Sequence, residues 1–477
     1  MPTVSLAEIS PAIALGPLDG RYRKDTADLV DHLSEAALNR NRITVEIEWF
    51  IHLAQNHVIE SVRRLTPDEV DGLRAFAAGF DAETIATLAA HEAVTVHDVK
   101  AVEYTVKEAL VEIGADDLSE LVHFCCTSED INNLSWALGI KGATEQVWLP
   151  RAKALIDTLA ESASALAEVP MLAHTHGQPA TPTTMGKELA VFIHRLRRQY
   201  ERIAATDFLG KINGATGTYS AHLAAVPGAD WPQIARTFVE DRLGLTFNSL
   251  TTQIESHDWD AELFADIARF NRIAHNLATD MWTYISMNYF KQIPVAGATG
   301  SSTMPHKVNP IRFENAEANL ELSCALLDSL ASTLVTSRMQ RDLTDSTSQR
   351  NIGVAFGHSV LALNNLVKGL KSLAVNEDAL NADLDANWEV LGEAVQSVMR
   401  AAGLQGVPGM ENPYETLKEL TRGKRIDQAD LQEFVSGLGL PEDRAELLKA
   451  LTPATYVGVA AQLAEAEVSD WKAFSEA

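Results

Sequence analysis

Hydrophobic positions recur along most of this chain at intervals of three and four, the spacing of one face of an α-helix. From Leu263 such a run continues through Phe264, Ile267, Phe270, Ile273, Ala274, Leu277, Met281 and Ile285. A second begins near Met185 and passes through Leu189, Ile193, Leu196, Tyr200 and Ile203. A third follows Pro310, with Phe313, Ala316, Leu320, Cys324, Leu327 and Leu330. Each predicts a helix of ~20 residues or more, and helices of that length pack in bundles or across subunit interfaces. A further amphipathic helix is predicted to start at His97, with Val99, Val102, Val106 and Leu110 on its buried side. Strand-like alternation is scarce, so the expected fold class is all-α.

Punctuation divides the pattern into three parts. Residues 1–117 open on the Pro- and Gly-containing stretch A-L-G-P-L-D-G-R-Y and continue as shorter helices. Residues 118–370 carry the long helices, and residues 371–477 are shorter in pattern and more acidic. Within the last part, G-L-Q-G-V-P-G-M-E-N-P at 403–413 predicts a surface loop. A length of 477 residues suits such a three-domain plan.

Composition narrows the function classes. Apolar residues make up 46% of the chain, ample for a buried core. Against 39 Lys and Arg stand 65 Asp and Glu, a net charge of −26. That balance disfavours general binding to nucleic acid or to anionic membranes. An anionic substrate therefore needs a local basic pocket inside an acidic shell. Cysteine is sparse (Cys125, Cys126 and Cys324), which gives no disulfide framework and no metal-binding spacing. The first residues lack a basic segment followed by an apolar one, and no apolar stretch approaches the ~20 residues of a membrane span. A cytoplasmic protein is expected.

The chemistry concentrates in G-A-T-G-S-S-T-M-P-H-K-V-N-P at 297–310. Its Gly and Ser residues make a polar loop, and Pro305 and Pro310 stiffen it before a helix begins. Lys307 and Asn309 are two apart, so an extended backbone aims both the same way. Together they offer a cation and an amide donor to a carboxylate.

The portion G-S-S-T-M-P-H-K-V-N-P resembles the signature of the fumarase, aspartase, argininosuccinate lyase and adenylosuccinate lyase superfamily. Further blocks are similar to the bacterial long form of adenylosuccinate lyase. They are D-G-R-Y (19–22), H-D-V-K-A-V-E-Y (97–104), T-S-E-D-I-N-N (127–133), H-T-H-G-Q-P-A-T-P (174–182), Q-R-D-L-T-D-S-T (340–347) and T-R-G-K-R (421–425). The resemblance thus spans nearly the whole chain. It implies a three-domain fold with a central long-helix bundle that assembles into a tetrameric core, with each active site drawing motifs from three subunits. It also implies β-elimination of fumarate from a succinylated purine nucleotide, with no cofactor and no metal.

Residue roles follow from the same resemblance. Ser301 matches the general base and His176 the general acid, a task that suits an imidazole titrating near neutrality. Lys307 and Asn309 match the carboxylate clamp. His97 matches an active-site histidine, although alone it would read as a helix cap. Thr127 and Ser128 match hydroxyl contacts, and an N-cap role is compatible with this. Gln253 matches a substrate amide contact. Arg21, Tyr22, Arg341, Ser346 and Arg350 match phosphate and ribose contacts, for which the planar arginine fork is suited. Asp98, Ser302, Asn315 and Thr347 are implied as further substrate contacts. Two positions depart from the family pattern: His174 stands where relatives commonly have Arg, and Val96 where Asn or Arg is frequent. The phosphate-type residues favour this family over argininosuccinate lyase. The full set of catalytic matches disfavours a silent helical scaffold.

Overall fold

The structure, a computed structural model, describes residues 14–293, 304, 308–421 and 425–476. The elements that position the site are, in chain order, α1 (Glu35–Gln55), α2 (Asp98–Ile113), α3 (Ser128–Gly142), α4 (Leu149–Ala165), β1 (Pro170–Thr175), β2 (Gln178–Thr184), α5 (Met185–Ala204), α6 (Asp258–Ser286), α7 (Ile311–Leu334), α8 (Thr344–Gln349), α9 (Ile352–Leu370) and α10 (Gly392–Leu404). The three long apolar runs of the sequence are α5, α6 and α7. Pro310 lies immediately before α7, where its missing N–H costs no helical hydrogen bond. None of the helices among the described residues is long and apolar enough to cross a membrane.

The chain groups into two compact units. One comprises Met1–Ala152, Gln199–Arg272 and Ala318–Asn364; the other comprises Lys153–Arg198, Ile273–Glu317 and Asn365–Ala477. The units interleave along the sequence because the long helices α4, α5, α6, α7 and α9 each contribute residues to both.

In the first unit, α1 packs against α2 and α3. Its core joins Ile43, Ile47, Phe50 and Ile51 of α1 to Val102, Val106 and Leu110 of α2. Val99, Val102, Val106 and Leu110 are all buried, as the periodicity predicts. Each such side chain contributes roughly 1.5–3 kcal/mol on burial, enough together to fix the face that α2 turns inward. A buried polar chain runs between long helices of the same unit. Trp148 Nε1 donates to Ser359 Oγ at 2.8 Å, Ser359 donates to Asn271 at 2.8 Å, and Asn271 donates to Ser323 at 3.1 Å. Full pairing is what makes such polar atoms tolerable in a core.

The second unit carries a core of Trp388, Leu391, Val395, Met399, Met410, Leu431, Val435 and Leu448. Met410 is buried and Val407 packs against the same cluster. The expected surface loop at 403–413 is therefore anchored by two apolar side chains within it.

The fold is the helical one expected, and a few short strands accompany the helices. Three two-stranded sheets occur among the described residues, and the block 174–182 lies on one of them, the antiparallel hairpin β1–β2. Pro170, Pro179 and Pro182 oppose a helix here, and the Thr-rich sequence favours extended backbone. His176 and Gly177 both have positive φ, 56° and 70°. They form the two-residue turn of a hairpin, where that backbone sign matches the strand twist.

Candidate functional site

In the first unit, several expected site residues converge through one closed ring of polar contacts. It begins at the N-terminus of α2. His97 is the N-cap: its Nδ1 accepts the Lys100 N–H at 3.3 Å, and the side chain remains half exposed. The cap and an outward-facing imidazole thus coexist at one residue. Asp98 follows, its Oδ2 accepting from Arg42 Nη2 at 2.7 Å and lying 3.7 Å from Arg350 Nη2. Burial works against the Asp98 charge. The Arg42 guanidinium and the Val99 N–H outweigh it and hold the carboxyl below the usual aspartate range.

From Arg42, which is buried in α1, the ring runs to α3. Arg42 Nε donates to Asn132 at 2.9 Å, and Asn132 donates to Glu129 at 2.8 Å. Glu129 lies 3.0 Å from Arg341, and Arg341 Nη1 donates to Asp345 Oδ2 at 3.0 Å. Asp345 Oδ1 accepts the Ser346 N–H at 2.7 Å. Arg350 Nη1 donates to the Ser346 hydroxyl at 3.0 Å, and Arg350 closes the ring against Asp98. Arg350 is also forked onto Glu35 at 3.0 and 3.2 Å. Charge-assisted pairs of this kind fix guanidinium planes in advance of any ligand.

Thr127 and Ser128 sit at the start of α3, immediately before Glu129. Thr127 is the N-cap, and its N–H donates to Asp130 at 2.8 Å. Asp130 is fully buried and also accepts from Lys211 Nζ and the Asn213 N–H, both at 2.8 Å, and from the Gly214 N–H at 3.0 Å. The loop after Lys211 is thereby tied to the α3 N-terminus. Gln253 donates to Ala215 O of that loop at 2.9 Å. Its amide is therefore held beside the same anchor.

Two expected contacts lie apart from the ring. Arg21 is exposed and rests over the Tyr22 ring, 5.8 Å from its centroid. Thr347 is exposed on α8, one residue beyond Ser346.

In the second unit, His176 is exposed at the tip of the β1–β2 hairpin. On β1, His174 Nε2 lies 3.9 Å from Asp383, which also accepts a hydrogen bond from Tyr289. The histidine that departs from the family pattern thus faces a carboxylate at the limit of ion pairing. Thr181 of β2 donates to Glu393 of α10 at 2.9 Å. Asn309 is half-buried just before α7. Asn315, in the first turns of α7, accepts from Asn365 at 2.9 Å. Ser301, Ser302 and Lys307 lie outside the described residues.

Four supporting residues escaped the sequence-based expectations: Arg42, Glu129, Asp130 and Asp345. Arg42 had one available signal: at helical spacing it falls on the face of the apolar positions Leu38 and Val45. Glu129, Asp130 and Asp345 fall inside the quoted blocks, but their spacing does not reveal that they brace their neighbours.

The comparisons with known proteins bear on this arrangement. The family model described as "Lyase" matches residues 20–324, and "Adenylosuccinate lyase C-terminal" matches residues 337–457. The chain is 49% identical to adenylosuccinate lyase of Escherichia coli K12 over 452 residues, 94% of this chain and 98% of the relative. It is 48% identical to adenylosuccinate lyase of Vibrio cholerae over 461 residues, 96% of this chain and 99% of the relative. A crystal structure of 3-carboxy-cis,cis-muconate lactonizing enzyme from Pseudomonas putida aligns with a TM-score of 0.74 at 19% identity. It covers 94% of this chain and 97% of that one, and at such identity it shows the fold alone. With family matches in both regions and near-half identity from end to end, the chain belongs to the adenylosuccinate lyase family, a family of lyase enzymes.

Proposed function

We propose that this protein releases fumarate by β-elimination from adenylosuccinate, giving AMP, and from the succinylated imidazole-carboxamide ribotide, giving its free amide, in purine nucleotide biosynthesis. The observation that carries this reading is the polar ring of the first unit. It presents Arg341, Ser346 and Arg350 together, the groups a nucleotide phosphate requires. Relatives at 49% and 48% identity are named for the same reaction.

In the proposed mechanism Ser301 removes the proton from the succinyl carbon beside a carboxylate. Lys307 and Asn309 hold that carboxylate as negative charge moves onto it, a case of preorganised electrostatic stabilisation. The C–N bond then breaks, its electron pair leaves with nitrogen, and the carbanion pair forms the fumarate double bond. His176 supplies the proton to the departing nitrogen. Thr127, Ser128 and Gln253 contact the substrate beside His97 and Asp98. Arg21, Tyr22 and Thr347 complete the phosphate and ribose contacts, and Ser302 and Asn315 the succinyl end. The reaction balances without a cofactor.

The same reading includes a cytoplasmic homotetramer. Its parts are 1–117, 118–370 and 371–477, with active sites shared between subunits. Support comes from the long helices, which expose Val191, Trp282, Leu322 and Val354. It comes also from a site whose residues are dispersed over widely separated segments.

The substrate assignment is tested by removing the phosphate. Adenylosuccinate and its dephosphorylated nucleoside are compared by kcat/KM. The phosphate contacts predict a loss of about 100-fold or more for the nucleoside. Equal kcat/KM for both would contradict a phosphate-directed site.

A further inference from the structure

Asp345 is the joint of the polar ring, and its second cation is a residue that no motif singled out. His257 Nε2 lies 3.6 Å from Asp345 Oδ2, the same oxygen that accepts from Arg341 Nη1 at 3.0 Å. The other ring nitrogen, Nδ1, is 3.1 Å from Asp260. The His257 backbone N–H donates to Glu255 at 2.9 Å. The residue is buried, 4% exposed, and its φ of 60° is a conformation that side chains rarely adopt. Two ring contacts and one backbone hydrogen bond thus hold the imidazole between two carboxylates, on a backbone of unfavourable φ.

The charges explain the arrangement. Glu129, Asp260 and Asp345 are buried carboxylates that meet Arg341 and His257. With His257 protonated, each carboxylate has a cation beside it. With His257 neutral, Asp260 loses the cation beside it, and Asp345 is left to share Arg341 with Glu129. Burial lowers the affinity of His257 for a proton. Asp260, Asp345 and Glu255 overcome that and raise its pKa to about 10. The two flanking carboxylates thus favour the protonated imidazole.

We infer that His257 is a positioning residue for the nucleotide phosphate, acting through Asp345 to set Arg341, Ser346 and, through Ser346, Arg350. It touches none of the reacting atoms. The inference rests on the assignment of these residues to the substrate phosphate.

The experiment compares wild-type protein with His257→Gln, which keeps a polar side chain and removes the charge. The readouts are KM and kcat for adenylosuccinate, and product inhibition by AMP and by fumarate. AMP carries the phosphate and fumarate does not. The expected result is about tenfold higher KM and AMP inhibition constant, with kcat and the fumarate constant within about threefold. If His257→Gln does not fold, Asp345→Asn interrupts the same link from its other end and predicts the same split. An unchanged AMP constant, or equal weakening of AMP and fumarate, overturns the inference in whichever variant folds. Wild-type protein that releases no fumarate from adenylosuccinate would instead refute the underlying functional assignment.

Discussion

His176 sits at the tip of a two-residue turn with positive φ, exposed and carried by two short strands. That placement suits a group which must reach a substrate rather than stabilise a core. If it is the general acid, His176→Gln keeps the turn and removes the transferable proton. The expected result is a fall in kcat of about 10²–10⁴ with KM changed only a few-fold. Steady-state kinetics read this directly, and a kcat within threefold of wild type would remove His176 from that role. Residue-scale legibility was uneven for a physical reason. His97, Thr127 and Arg341 belong to dense blocks that resemble one family's motifs, and Arg350 lies three residues beyond the block 340–347. Arg42, Asp130 and His257 act through partners brought near by folding, such as Arg42 with Asp98 at 2.7 Å, and nothing in their immediate sequence announces those partners.

At the scale of elements, helices were legible because burial repeats at a period of three to four. The runs from Met185, Leu263 and Pro310 became α5, α6 and α7. The β1–β2 hairpin was not legible, because Pro and Thr residues define it and its apolar alternation is weak. Met410 within 403–413 was missed because two isolated apolar residues carry no period. Helix α1 supplies a pH prediction of its own. His52 is buried near its C-terminal end and stacks on Trp49 at 5.9 Å. Burial, with Arg242 nearby, lowers its pKa from 6.5 to about 4. The unfolded chain therefore binds this proton near pH 6.5 and the folded chain only near pH 4. The associated stability is complete above about pH 6.5 and is lost as pH falls toward 4, by up to about 3 kcal/mol. Urea unfolding of wild type and His52→Gln across that window measures it. The variant should show a shallower acid slope, whereas parallel slopes would show that His52 is not responsible.

For the molecule as a whole, the net charge is −26, and the ring does not oppose it with free positive charge: Arg42, Arg341 and Arg350 are matched by Asp98, Glu129, Asp345 and Glu35. The ring's contribution is to hold the arginine forks in place. Sharing of sites between subunits belongs to the same scale. Each of His176→Ala and Ser301→Ala is expected to be inactive alone. Mixed under conditions that allow subunit exchange, they should regain partial activity, because some sites then combine an intact His176 with an intact Ser301. No recovery, with exchange verified by light scattering of tagged chains, would argue for sites built within one chain. The central claim, elimination of fumarate from a succinylated purine nucleotide, has a more direct measurement. Purified protein is given adenylosuccinate and argininosuccinate in parallel, and fumarate is quantified. Fumarate together with AMP from adenylosuccinate, and none from argininosuccinate, is the predicted result. Fumarate from argininosuccinate alone, or from neither, would contradict it.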